Sequence, residues 1–147
     1  MESIDEFIST SLWGSASFGF TFRPSVEASC GILTLWDTSE VEVWDSRSLA
    51  NSLIIHGRFV KSGCEFFIAN VYAMCDPVGR HALWLCLGDI ITNKNEDNWC
   101  ICSYFNDIRS SLKRRSRALG QNHKDFTHFN QFIDGNTLLP LRERLFT

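Results

Sequence analysis

At 147 residues, 44% hydrophobic and 13% aromatic, the chain is long enough to bury one substantial core and too short for two, so a single domain over residues 1–147 is expected. A net charge of -3 excludes a generic polyanion-binding protein, because no overall positive excess is present to neutralise phosphates. Only a local basic patch could do so.

The amino terminus, Met1 to Glu6, is acidic and lacks the apolar core of a signal segment, and no apolar run reaches membrane-spanning length. A soluble chain inside the cell, in nucleus or cytoplasm, is the expectation. Ser3 and Glu6 have the spacing of a capping box, and Ile4, Phe7, Ile8 and Leu12 fall on one helical face, which predicts a first helix up to about Leu12. Five strand-like pieces follow: 18–22, 31–36, 41–46, 52–60 and 64–72. Turn chemistry separates them, with Asp37-Thr38-Ser39 between the second and third pieces and Lys61-Ser62-Gly63 between the last two. That order predicts an antiparallel meander.

Pro77 suits the first turn of a helix whose apolar face is Leu83, Trp84, Leu87 and Ile91. The polar stretch 93–98 then leads into Trp99-Cys100-Ile101-Cys102-Ser103-Tyr104-Phe105-Asn106, an apolar run with a polar tip, read as a buried strand that delivers side chains to a site at its carboxyl end. Past it lie Arg109 and the basic run Lys113-Arg114-Arg115-Ser116-Arg117. Phe126, Phe129, Phe132 and Ile133 then repeat at helical spacing until Gly135 closes the helix. The six cysteines sit in or beside apolar runs without a loop-rich framework, so buried, reduced thiols are expected. No Cys-x-x-Cys occurs and the four histidines are scattered, which argues against structural zinc. None of those histidines has a carboxylate partner identifiable from sequence.

The ordered segments Gly31 to Asp37, Asn70-Val71-Tyr72 with Asp76-Pro77, Trp99 to Asn106, Phe129-Asn130-x-Phe132-Ile133-Asp134 and Leu139-Pro140-Leu141 resemble the endonuclease/exonuclease/phosphatase superfamily. The resemblance is to the endonuclease region of plant LINE-type (non-LTR) retrotransposons, and it runs over nearly the whole chain. It implies an α/β two-sheet β-sandwich flanked by helices. It also implies a Mg²⁺-dependent phosphodiester hydrolase, in which a divalent ion held by hard oxygen ligands neutralises the phosphate and a donor steadies the developing oxyanions.

Family members draw these groups from an Asn and a Glu on amino-terminal strands, a middle-strand Tyr, a Gly-Asp-Phe-Asn tip, and a late Asp and His. On this resemblance Tyr72 matches the phosphate-contacting tyrosine and Asn106 the asparagine that closes the tip. The tip departs in its middle, where Ser103-Tyr104 stands in place of Gly-Asp, exchanging a carboxylate for a phenol. Alternation along a strand gives 104 and 106 one face and 105 and 107 the other, so Asp107 is a poor substitute acid. The resemblance further implies a chain that begins after the strands bearing the first Asn and the Glu and ends before the last acid and His.

The expectation drawn from this is a degenerate remnant of a retrotransposon endonuclease, catalytically inactive, retaining no Mg²⁺ and no small-molecule cofactor, and self-associating through uncovered sheet edges. Two other readings stand beside it. One is residual metal-dependent phosphodiesterase activity. The other is a non-catalytic module that holds DNA through Arg109, Lys113, Arg114, Arg115 and Arg117. Taken one by one, these residues have plainer roles: Tyr72 as a rim aromatic, Asn106 as a turn starter, the basic run as a solvated loop, and the Phe stripe as core.

Overall fold

The computed structural model describes residues 11, 14, 17–26, 31–94, 98–104 (backbone only at 103 and 104) and 127–139. The chain divides into two compact units, 1–74 with 96–105, and 75–95 with 106–147. The expected first helix falls outside the described residues, apart from Ser11.

In the first unit, β1 (Phe18–Arg23) and β2 (Ile32–Asp37) form an antiparallel pair, registered from Phe18 opposite Asp37 to Arg23 opposite Ile32. β3 (Val41–Leu49), β4 (Ser52–Phe59), β5 (Glu65–Tyr72) and β6 (Trp99–Tyr104) form a second sheet in that order. β3, β4 and β5 are antiparallel neighbours, while β6 joins β5 in parallel. All five expected strand pieces are therefore strands, with ends moved by one to three residues.

The expected single meander is corrected: β2 and β3 do not pair, and the chain changes sheets between them. The cause is local. Asp37 Oδ1 accepts hydrogen bonds from Ser39 N at 2.8 Å and Ser39 Oγ at 2.6 Å, and Glu40 N donates to Asp37 O at 3.2 Å. This tight turn lets Thr38 N extend the β1–β2 pair by donating to Ser17 O, while Glu40 O accepts from Val60 N and so begins the β3–β4 pair. At the other predicted turn the hairpin forms as expected, with Gly63 at φ 70° supplying the left-handed residue and donating to Phe59 O.

The two sheets of this unit touch. Asn70 Nδ2 on β5 donates to Leu33 O at 3.1 Å and to Thr34 Oγ1 at 3.3 Å on β2, and Thr21 Oγ1 on β1 donates to Ser46 Oγ on β3 at 3.3 Å. The core gathers on β4 and β5: Leu53, Ile54, Ile55, Phe66, Phe67, Ala69 and Val71 are all buried. Full burial of each large aliphatic or aromatic side chain among these contributes about 1.5–3 kcal/mol.

The second unit contains α1 (Pro77–Lys94) and α2 (Thr127–Gly135). Asp76 caps α1, its Oδ2 accepting from Gly79 N at 2.7 Å, and Pro77 takes the first helical position, where a missing N–H costs nothing. The expected face, Leu83, Trp84, Leu87 and Ile91, is the buried one, with Arg80 added to it. On α2, Phe129 and Phe132 are buried, and Trp84 of α1 stacks on Phe132 at 5.1 Å between ring centres. Phe126 lies outside the described residues. The last turn of α2 ends at Gly135 as expected, yet the left-handed residue is Thr137, at φ 52°. No helix among the described residues is long and apolar enough to cross a membrane.

Candidate functional site

Adjacent parallel strands place their carboxyl ends side by side, and in open α/β sheets that edge is where ligands are held. Among the described strands only β5 and β6 are so paired, and their last registered pair is Tyr72 opposite Tyr104. Tyr72 and Tyr104 are thus backbone neighbours, although 32 positions separate them in the chain.

Tyr72 is half-buried, and its backbone N–H donates to Asn51 O at 2.9 Å, so the β4–β5 ladder continues to the end of β5. Asn70, two residues earlier, shares its face by the alternation of a strand. Its amide is committed to β2, as described above. Asn51 Nδ2 in turn lies 3.5 Å from Met74 Sδ. Every side-chain amide near this edge that is described thus already serves the scaffold.

Asn106, Asp107, Arg109, Lys113, Arg114, Arg115 and Arg117 lie outside the described residues. No three of His, Cys, Asp and Glu come together among the described residues. The one carboxylate on β5 is Glu65, seven residues from Tyr72 and so about 23 Å away at the rise of a strand.

A second group of side chains was not visible in the sequence. The registers align Asp45 with His56, His56 with Phe67, and Phe67 with Trp99 across the four strands. A break in register between Val43 and Asp45 brings Trp44 to the end of this row. His56 stacks on Phe67 at 4.1 Å, Phe67 on Trp99 at 4.7 Å, and Trp44 meets His56 edge-on at 5.1 Å. Arg58 lies over Trp44 at 5.9 Å and pairs with Glu42 at 2.6 Å. The carboxylate neighbour that sequence alone does not identify is found here for one histidine: His56 Nε2 is 3.5 Å from Glu65 Oε2, without a hydrogen bond. Period-two spacing marks each residue of this row as one face of a strand, but only pairing reveals the row.

The cysteine expectation is half corrected. The described cysteines are free, but Cys64, Cys75, Cys86 and Cys102 are exposed and Cys100 is half-exposed. Cys64 sits in the β4–β5 turn and Cys86 on the outer side of α1, where an apolar neighbourhood in sequence does not become one in space. Although Cys102 as a residue is exposed, its sulfur is turned 3.7 Å from Ala69 O, and this partial burial pushes the thiol above its ordinary pKa, with Cys100 adding to the effect.

No family model matches the chain, and no curated protein matches it. Among solved structures, it is similar to the human Nocturnin catalytic domain with bound sulfate anion, with a TM-score of 0.53 at 16% identity, over 69% of this chain and 47% of that one. The chain therefore spans less than half of the domain it matches. The likeness is one of fold: the described residues form a mixed α/β arrangement with two sheets, α1 and α2, compatible with part of an endonuclease/exonuclease/phosphatase-like fold.

Proposed function

We propose that this chain is a hydrolase-like domain of the endonuclease/exonuclease/phosphatase type, a two-sheet sandwich of retrotransposon origin whose phosphodiester-cleaving centre no longer works. The observation that carries the reading is the register of Tyr72 with Tyr104 at the carboxyl ends of the parallel strands. In the resembled enzymes the second of these positions holds the tip carboxylate. A neutral phenol in place of a carboxylate at that position removes a hard anionic ligand. What remains of the matched set is Tyr72 and Asn106, both neutral and both able to contact a phosphate without cleaving it.

The likeness in fold to a catalytic domain supports the scaffold half of this reading. The other half rests on the exchange of Gly-Asp for Ser103-Tyr104 in the resembled motif. The test is nicking of supercoiled DNA by the full chain with Mg²⁺ present. Background rates are expected, equal with and without EDTA. Nicking that EDTA abolishes and Tyr72→Phe weakens would replace this reading with that of a working phosphodiesterase.

A further inference from the structure

Cys100 and Cys102 are two residues apart on β6, so alternation gives them one face of the strand. Register sets them beside Ile68 and Asn70 of β5. At Asn70 that face is covered by β2, whereas on β6 Cys100 is half-exposed and Cys102 exposed as a residue, its sulfur partly buried beside Ala69 O. β6 is the outermost strand of its sheet among the described residues, with β5 on one side only. The two sulfurs are close enough that charge on Cys100 raises the Cys102 thiol.

Such a pair is poorly shaped for a disulfide. Two rises of a strand separate the Cα atoms by about 6.6 Å, at the upper end of what a disulfide spans, and their Cβ vectors run parallel instead of converging. The same pair suits a bridging ion. Two metal–thiolate bonds of about 2.3 Å at a tetrahedral angle need sulfurs only about 3.8 Å apart, a gap closed by leaning the two side chains toward each other. Thiolates select soft and borderline ions over Mg²⁺ or Ca²⁺.

We propose that Cys100 and Cys102 form an open dithiolate site on the edge strand that chelates a soft divalent cation of the zinc and cadmium class. Each thiol gives up its proton as its sulfur–metal bond forms. Two protons are released per ion, and no electron changes hands. The remaining coordination positions go to water or an external thiol, so the site exchanges its ion and is not a structural clamp. Because protons compete for both sulfurs, affinity rises with pH.

The experiment titrates the reduced full chain with Cd²⁺ alone, following thiolate-to-cadmium ultraviolet absorption and proton release. Saturation near one ion per chain is expected, with at least tenfold weaker binding in Cys100→Ser and in Cys102→Ser and no change in Cys64→Ser or Cys86→Ser. A wild-type titration without the absorption band, or one unaltered by both edge-strand substitutions, overturns the proposal. Should either variant misfold, alkylation of the wild-type chain decides. Cd²⁺ is expected to protect Cys100 and Cys102 together while Cys64 and Cys86 are labelled, and uniform labelling or uniform protection refutes the site.

Discussion

In β4 three consecutive residues, Leu53, Ile54 and Ile55, are buried, whereas in α1 the buried positions are 80, 83, 84, 87 and 91 and the adjacent Leu85 and Cys86 are exposed. A strand buried at successive residues has lost water from both of its faces, and it has no free side on which to absorb a change. A helix with one buried stripe keeps an outer side that can vary. The sheet is therefore constrained at nearly every position of its middle strands, and the helix only along one line.

The sharpest way to test the helical half of this contrast is to change adjacent residues of α1. Trp84→Ala should cost about 3–5 kcal/mol, because it empties the space between Phe129 and Phe132. Leu85→Ala, one position on, should stay within about 0.5 kcal/mol. Urea unfolding of the two variants reads the difference, and comparable losses would mean that α1 is buried all round.

In the sheet, a single methyl should be felt. A Cβ on Gly57 would run into the carbonyl of Glu42 on β3, next to the register break, and a paired backbone cannot move aside as a flexible side chain could. Gly57→Ala should cost about 1–3 kcal/mol in the same assay. Gly63→Ala, in the exposed turn with open space around it, should lose only the smaller cost of its left-handed backbone.

A gain is expected where a helix end is strained. Thr137 holds φ 52°, a conformation that a β-branched residue adopts at a cost, while its N–H donates to Asp134 O at 3.2 Å. Thr137→Gly keeps that bond, relieves the strain, and should raise stability by about 0.5–1 kcal/mol, read as a shift in denaturant midpoint. No gain would show that the cap is not strained.

The smallest effect belongs to the turn that separates the sheets. Hydrogen bonds from the Ser39 hydroxyl and then from its N–H hold the Asp37 carboxyl below its ordinary value of 3.8, and Lys61 adds a weaker attraction. A depressed folded-state pKa means that the contribution is present above the unfolded value and lost as pH falls through the folded one. Asp37→Ala should therefore melt slightly lower than the parent at neutral pH, and the two curves should converge as the pH falls below the ordinary carboxylate range. A gap that persists in acid would remove the carboxylate from the explanation.

Much of the scaffold could be read from residue order. The five strand pieces, the α1 face and the Phe129–Phe132 stripe were legible because each depends on spacing within a few residues. The candidate site was legible only in part. Tyr72 and Tyr104 stand out once the motif order is seen, but their adjacency depends on a parallel register that no local pattern encodes. The exposure of the cysteines was misread for a related reason, since an apolar neighbour in the chain is no guarantee of an apolar neighbour in space.

Sequence alone determined the approximate extent of the five strand pieces and which stripe of α1 turns inward, and it places Tyr104 where the resembled motif has an acid. Tertiary structure alone decided that β2 and β3 part into different sheets, that His56 joins a row with Phe67 and Trp99, and that Cys100 and Cys102 lie on an open edge. The physical reason is range. Helical and extended periodicities are set by neighbours along the chain, whereas sheet membership, register and exposure depend on partners such as Asn70 and Leu33, 37 residues apart.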